Sequence, residues 1–335
     1  MNGEAHIELS TAKIKYNLKF DRNISLIRGH SGTGKSYLCS LLAQALSGDE
    51  TVALNSHGIQ CIVMPAVTIN SPTTLPWDEI IAQASNTIFF IDGMCDCLHS
   101  GSFSKVIKNT SNYYVIISRK DYSDLTYSVK AIYEFKEDIV NLVPVITNQQ
   151  LYPSSSQTIA PCKLITEDEG AGYFFYQHLY SIPVIPARSK TRIAKCLKTE
   201  LNKHTKGVVV IVDGAAFGSE LDKCMQLISC DTSYHIYFPE SFEWILLHSL
   251  VFQDNPEIQH ILIDYLKTID WTKFISVERY MTHVIETETE KLGILEYNKS
   301  ANSLDPCFIN SENLEHIRTL IPFNWEESYT SVFGE

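Results

Sequence analysis

The sequence predicts an α/β fold with two doubly wound parallel-sheet domains and a helical C-terminal extension. In both halves, short apolar runs alternate with amphipathic helical stretches, which is typical of parallel sheets covered by helices. A stretch rich in Gln, Ser and Pro at residues 148–161 separates the halves and is predicted to be a linker. From Phe242 onward the apolar residues keep helical spacing. The predicted domains are therefore 1–147 and 162–240, followed by the extension at 241–335.

Composition limits the classes of protein to consider. A net charge of −12 over 335 residues argues against a generally basic nucleic-acid surface. Basic residues nevertheless cluster in one stretch: Arg188, Lys190, Arg192, Lys195, Lys198, Lys203 and Lys206. The chain has no apolar run of membrane-spanning length and no signal-peptide pattern. Its nine cysteines therefore predict reduced thiols in a cytoplasmic protein, and Cys95-x-Cys97 lacks the second pair that a zinc site needs.

The N-terminal part is expected to begin with a β-hairpin. Residues 8–20 alternate apolar and polar side chains, as a half-buried strand does. We expect this strand to pair with a second strand at 24–27 across a turn at 21–23.

Residues 29–36 read GHSGTGKS, with the spacing G-x-x-x-x-G-K-[ST], after a short apolar run and before an amphipathic helix. This context is typical of a phosphate-binding loop. Glycines let backbone N–H groups point at phosphate oxygens, and the helix N-terminus adds free N–H groups and a positive dipole end. Lys35 is predicted to contact the β- and γ-phosphates, and the Ser36 hydroxyl to bind Mg²⁺. The predicted nucleotide-binding residues are Gly29, His30, Ser31, Gly32, Thr33, Gly34, Lys35, Ser36 and Tyr37.

A second motif is the apolar run Thr87–Asp92, which predicts a buried strand with a carboxylate at its carboxyl end. This position suits a Walker B aspartate that holds Mg²⁺ opposite Ser36. Gly93 follows where many P-loop ATPases carry a glutamate that polarises water, so hydrolysis is expected to be slow. Asp96 is the nearest carboxylate that could substitute for it.

The two motifs resemble the core of the P-loop NTPases. The resemblance implies ATP and Mg²⁺ as ligands, with catalytic roles for Lys35 and Asp92. At the end of the apolar run 113–118, Ser118 and Arg119 have two interpretations, a contact with the γ-phosphate or an ordinary surface position. A small-molecule kinase would need an arginine-rich lid near the loop, and the sequence shows none.

The stretch 162–240 contains four apolar runs separated by helices, which predicts a second parallel sheet. Glu167 follows the first run and Asp213 the third. This layout resembles the TOPRIM domain, the metal-binding fold of topoisomerases, primases and OLD-family nucleases, which carries Glu after its first strand and Asp-x-Asp after its third. Glu167 and Asp213 match the Glu and the first Asp, and Gly218 stands where the family has glycine, but Ala215 replaces the second Asp.

The resemblance implies that Glu167 and Asp213 converge, bind a metal ion and act as catalytic residues. Because Ala215 removes one oxygen ligand, we expect weak binding of Mg²⁺ and slow nuclease activity or none. A generic doubly wound domain with acids at its strand ends remains the alternative fold.

P-loop and TOPRIM-like modules occur together in OLD-like nucleases, some of them in bacterial antiphage defence. The predicted function is therefore an ATP-binding, slowly hydrolysing protein coupled to a domain that binds or cleaves nucleic acid. The alternative is a non-enzymatic, nucleotide-dependent switch or scaffold with a degenerate TOPRIM-like interaction module. The expected partners are a nucleotide, nucleic acid, and a protein or a second copy of the chain, with no membrane.

Overall fold

The computed structural model describes residues 4–29, 34–65, 76–108, 110–135, 142–145, 158–321 and 324–325. They form an α/β structure with parallel-containing sheets, which confirms the predicted fold class at this level. The chain divides into two compact units. Unit 1 comprises Met1–Ile146 and Asp264–Val277, and unit 2 comprises Thr147–Ile263 and Glu278–Glu335.

Unit 1 is built on a six-stranded sheet with the order β5-β6-β7-β3-β8-β9, in which only the β8–β9 pair is antiparallel. The strands of this unit are β1 (Ala5–Ser10), β2 (Lys15–Phe20), β3 (Ile24–Arg28), β4 (Ala53–Asn55), β5 (Gln60–Met64), β6 (Thr87–Asp92), β7 (Tyr113–Ile117), β8 (Ile132–Phe135) and β9 (Leu142–Pro144). Its helices are α1 (Lys35–Leu46), α2 (Trp77–Gln83) and α3 (Phe103–Val106).

The expected pairing of residues 8–20 with 24–27 is wrong. The N-terminal stretch forms two strands, β1 and β2, which pair with each other around a turn at Thr11. The Thr11 hydroxyl accepts hydrogen bonds from the N–H groups of Lys13 at 3.2 Å and Ile14 at 3.1 Å, which stabilises this turn. β3 instead lies between β7 and β8, because its first four residues are all buried and suit the centre of a parallel sheet.

The three-stranded sheet β2-β1-β4 contributes its apolar side chains to the same core as α1 and the large sheet. The Phe20 ring makes edge contacts with Phe90 on β6 and Tyr133 on β8, at centroid distances of 6.2 and 5.8 Å. On α1, Leu38, Leu41 and Leu42 are buried in this core. This packing fixes the start of α1 beside the carboxyl ends of the central strands.

Unit 2 contains a four-stranded sheet, order β12-β11-β13-β14, in which every pair is parallel, and a short parallel pair, β10–β15. These strands are β10 (Thr158–Ile159), β11 (Lys163–Thr166), β12 (Val184–Pro186), β13 (Val208–Ile211), β14 (Tyr234–Tyr237) and β15 (Asn324–Trp325). The remaining α-helices in the described ranges are α4 (Ala171–Leu179), α5 (Lys190–Asn202), α6 (Leu221–Ile228), α7 (Phe242–Leu247), α8 (Pro256–Thr268), α9 (Val277–Leu292), α10 (Pro306–Ile309) and α11 (Ser311–Leu320).

The C-terminal helical segment does not form a body of its own. The helices from α9 to α11 lie almost entirely in unit 2, whereas 264–277 belongs to unit 1. The division falls within α8, where Asp264 has a non-helical backbone (φ −146°, ψ 47°). Of the helices in the described ranges, none combines the length and the apolar character needed to cross a bilayer.

The buried Glu200 carboxylate on α5 provides a test of the packing in unit 2. It accepts hydrogen bonds from Lys163 Nζ at 2.5 Å, Thr205 Oγ1 at 2.8 Å and Lys203 Nζ at 3.1 Å. Burial raises the pKa of Glu200, but these hydrogen bonds outweigh it and lower the pKa from 4.5 to about 2. A carboxyl with a lowered pKa in the folded state stabilises the protein above its unfolded pKa, and this stability is lost as the pH falls toward 2.

We therefore expect Glu200→Gln to lower the free energy of unfolding by about 3 kcal/mol at pH 7 and by about half of that at pH 3. Urea unfolding of both proteins at the two pH values measures the difference. Glu257→Gln is the matched control, because the Glu257 side chain is 70% exposed and its loss should cost under about 0.5 kcal/mol. If Glu200→Gln lowered the free energy of unfolding equally at both pH values, the hydrogen bonds would not stabilise the charged form of Glu200.

Candidate functional site

The first candidate site lies where β3 ends and α1 begins, in unit 1. Gly34 has a φ of 80°, a left-handed conformation that favours glycine, and α1 starts at the next residue. The buried Lys35 ammonium donates to the carbonyl of Gly29 at 2.5 Å. The other predicted loop residues, His30, Ser31, Gly32 and Thr33, lie outside the described residues. The described end of the loop thus leads directly into the N-terminus of a twelve-residue helix.

The start of α1 and the end of β6 line one cleft, with a volume of about 580 Å³. The side of α1 is formed by Gly34, Lys35, Ser36 and Tyr37. The opposite side is formed by Asp92, Gly93 and Met94 after β6, and by residues 117–120 at the end of β7. Because β3, β7 and β6 are adjacent parallel strands, their carboxyl ends open on the same edge of the sheet. The structure therefore places Lys35, Ser36 and Asp92 on the walls of one cleft.

The described residues that line this cleft include more basic than acidic side chains. Lys35, Arg119 and Lys120 line it, together with Asp92. Burial lowers the pKa of the Lys35 ammonium, and the nearby Arg119 guanidinium lowers it further. Arg119 therefore lies close enough to Lys35 for their charges to repel. The structure thus places Arg119 on the wall of the same cleft as the predicted phosphate-binding lysine, and both interpretations of Arg119 stay predictions.

Gly93 is enclosed so tightly that no side chain fits at its position. A Cβ atom there would lie 2.6 Å from Ser118 Oγ and 2.7 Å from Ser118 Cβ. Its N–H donates to the Ile117 carbonyl at 2.9 Å, and its carbonyl accepts from Tyr122 Oη at 3.1 Å. Asp96, the predicted substitute carboxylate, is exposed in the short 3₁₀ helix Asp96–His99. The absence of glutamate after Asp92 is thus enforced by packing.

The second candidate site lies at the carboxyl edge of the sheet in unit 2. The backbone N–H of Asp213 donates to Glu167 Oε2 at 3.2 Å, so the structure brings these two predicted residues together at the ends of β11 and β13. Ala215 is only 4% exposed, and its N–H donates to the Glu240 carbonyl at 3.0 Å. Ala215 therefore leaves no open, hydrated position in place of the missing oxygen ligand.

Three residues that the sequence did not indicate complete this cluster. The Lys299 ammonium donates to Asp213 Oδ2 at 3.0 Å and to Glu278 Oε1 at 2.7 Å, and it lies 3.6 Å from Glu243 Oε1. Across the described ranges, no three His, Cys, Asp or Glu side chains are arranged to hold a metal ion. The metal ion predicted for Glu167 and Asp213 does not fit the residues present, because a lysine ammonium lies among the carboxylates.

Burial dominates the electrostatics of this edge. It raises the pKa of Glu167 to about 7 and that of Asp168 to about 6, and it raises the pKa of Asp213 well above its ordinary value. The charge of Lys299 opposes each of these shifts. Burial lowers the pKa of Lys299 itself, but the surrounding carboxylates outweigh this and raise it above its usual range. Lys299 is therefore charged at neutral pH.

The basic stretch of the sequence is partly brought together on α5. Arg188, Arg192, Lys195 and Lys203 line one open groove of about 460 Å³. Two of these side chains already have acidic partners, since Arg188 pairs with Glu169 at 2.7 Å and Lys203 with Glu200 at 3.1 Å. The groove is thus less basic than the sequence suggests.

No protein family, curated protein or solved structure matches this chain.

Proposed function

We propose that unit 1 binds ATP together with Mg²⁺ and acts as a nucleotide-dependent switch that hydrolyses ATP slowly. The observation that carries this proposal is the shared cleft of Lys35 and Ser36 on α1 and Asp92 on β6. A buried ammonium and a helix N-terminus suit the phosphates, and a hydroxyl and a carboxylate suit Mg²⁺. Together they supply the ligands that a magnesium–nucleotide complex needs.

The slow hydrolysis that suits a switch follows from Gly93. A P-loop ATPase with rapid turnover needs a group that orients the attacking water. The packing of Gly93 against Ser118 excludes a carboxylate side chain at the position after Asp92. Nucleic-acid binding by unit 2, a protein partner or second copy of the chain, a cytoplasmic location and a role in antiphage defence stay predictions from the sequence.

Lys35→Ala tests the proposal. Removing a charge-assisted contact with the β- and γ-phosphates should weaken ATP–Mg²⁺ binding by roughly tenfold to a hundredfold. Isothermal titration calorimetry measures the two dissociation constants. Lys105→Ala is the matched control, because Lys105 is exposed on α3 in the same unit and does not line the cleft.

A second comparison tests whether Asp92 acts by binding Mg²⁺. Asp92→Asn should weaken ATP binding when Mg²⁺ is present and leave it unchanged in excess EDTA, because only the metal ion links this carboxylate to the phosphates. Equal ATP affinity of the wild type and Lys35→Ala would refute nucleotide binding in the cleft.

A further inference from the structure

The acidic edge of unit 2 is covered by residues 293–305, which follow α9 and are called the closing segment here. Hydrogen bonds within this segment and to the neighbouring helices hold it in place. The N–H of Tyr297 donates to Thr289 Oγ1 at 3.0 Å, and that of Leu295 donates to Asp305 Oδ2 at 2.9 Å. The carbonyl of Lys299 accepts from the N–H of Ala171 at the start of α4, at 3.0 Å. The backbone thus fixes where the Lys299 side chain begins.

The Lys299 ammonium lies among carboxylate oxygens. The Lys299 side chain is 27% exposed, and its ammonium donates hydrogen bonds to Asp213 and Glu278. It also lies within ion-pair distance of Glu243, at 3.6 Å. Glu243 is fully buried, and its Oε1 also accepts from Tyr297 Oη at 2.8 Å. Its Oε2 has no hydrogen-bond partner within the described part of the chain. Carboxylates buried in this way need a cation close by.

We propose that Lys299 is the built-in cation of this site and takes the place that a divalent metal ion would take between Asp213 and Glu278. Native unit 2 is then closed to Mg²⁺ and Mn²⁺ at its acidic edge. A tethered ammonium is always present at its partners, so free ions compete poorly with it. The inference is independent of nucleotide binding by unit 1.

The proposal also assigns a latent metal site. Asp213, Glu278 and Glu243 are not arranged around a metal ion while Lys299 is present. Removing the ammonium would leave hard oxygen donors of all three near the position it vacates, and hard divalent ions select such donors. The distances from Nζ to Glu278, Asp213 and Glu243 are 2.7, 3.0 and 3.6 Å, and all exceed the roughly 2.1 Å of Mg²⁺ coordination. Glu278 and Asp213 therefore need to move inward by less than about 1 Å, and Glu243 by about 1.5 Å. Two of these three carboxylates are not fully buried, which leaves room for coordinating water.

The test is an Mn²⁺ titration of the full-length, nucleotide-free protein, with free Mn²⁺ counted by electron paramagnetic resonance. Lys299→Met should bind one Mn²⁺ ion more than the wild type, at least about tenfold more tightly than the wild-type edge binds it. The double variant Lys299→Met/Asp213→Asn should lose this ion. Because both variants keep unit 1 unchanged, their difference reports on unit 2 alone. No gain in Lys299→Met would overturn the latent site.

A second arm does not depend on the folding of Lys299→Met. The wild type and Asp213→Asn should bind equal amounts of Mn²⁺, because Lys299 already closes the wild-type edge to metal ions. The asparagine amide loses the charge of Asp213 but keeps the acceptor that holds the Phe242 N–H at 2.9 Å. Less Mn²⁺ on Asp213→Asn would show that the wild-type edge binds metal and would overturn the proposal. If Lys299→Met folds only with Mn²⁺ present, thermal unfolding should show stabilisation by Mn²⁺ in this variant and none in the wild type.

Discussion

Gly170→Ala is expected to destabilise unit 2 by roughly 3 kcal/mol or more. A Cβ atom at Gly170 would lie 2.1 Å from the Lys299 carbonyl oxygen and 3.2 Å from its carbonyl carbon. These atoms are backbone, so the clash cannot be relieved by a side-chain rotation. The closing segment would have to move away, which would also break the bond from the Ala171 N–H and withdraw Lys299 from the buried carboxylates.

Chemical unfolding of the full-length protein measures this loss. Gly293→Ala is the matched control, because it is also a change from glycine to alanine and lies at the start of the closing segment itself. Gly293 has a φ of 65° and nothing within 4 Å of an added Cβ, so alanine there should cost only about 1–2 kcal/mol of backbone strain. Equal losses in the two variants would show that the closing segment does not pack against Gly170, and they would remove the structural support for Lys299 as a fixed cation.

The strands of the two parallel sheets could be predicted because burial on both faces produces continuous apolar runs. Thr87–Asp92, for example, was predicted as one strand and is β6. The pairing of strands was harder, because a period of two identifies a strand without naming its neighbour. The polar residues at 21–23 suggested a hairpin turn, yet β3 pairs with β7, which lies some ninety residues later in the chain. Long-range pairing of this kind leaves no local sequence signal.

The candidate sites show the same limit. Asp213 could be placed beside Glu167 because neighbouring parallel strands end at one edge of a sheet. Lys299 could not be placed, since it comes from an irregular segment 86 residues after Asp213 and has no periodic neighbours. Glu243 and Glu278 lie on helices whose apolar spacing predicts only which face is buried. A charged residue on such a helix gives no indication of its distant partner.

The position of Ser118 explains why residue 93 is glycine, and only the three-dimensional structure shows this position. The sequence permits two explanations for the missing glutamate, a lost catalytic residue or a glycine required by packing. The ideal Cβ position, 2.6 Å from Ser118 Oγ, favours the second. Ser118 is itself fixed, because its Oγ accepts from Tyr122 Oη at 2.9 Å and from the Lys120 N–H at 3.0 Å.

We therefore expect Gly93→Ala to destabilise unit 1 by about 2–3 kcal/mol, and Gly93→Glu to destabilise it at least as much without producing a fast ATPase. Denaturant unfolding measures the stability, and a phosphate-release assay is expected to give turnover below about one per second for both the wild type and Gly93→Glu. Wild-type turnover of tens per second would contradict the proposed switch.

A double-mutant cycle isolates the contact that excludes the side chain. Ser118→Gly removes both of the closest atoms and should cost about 1–2 kcal/mol through its lost hydrogen bonds. In the Gly93→Ala/Ser118→Gly variant the methyl group gains room, so the combined loss should be smaller than the sum of the single losses by at least about 1 kcal/mol. The Ile117 carbonyl, 3.0 Å from the added Cβ, remains and prevents full recovery. Strict additivity would mean that Ser118 does not exclude a side chain at position 93, and the missing glutamate would then have to be explained by chemistry instead of packing.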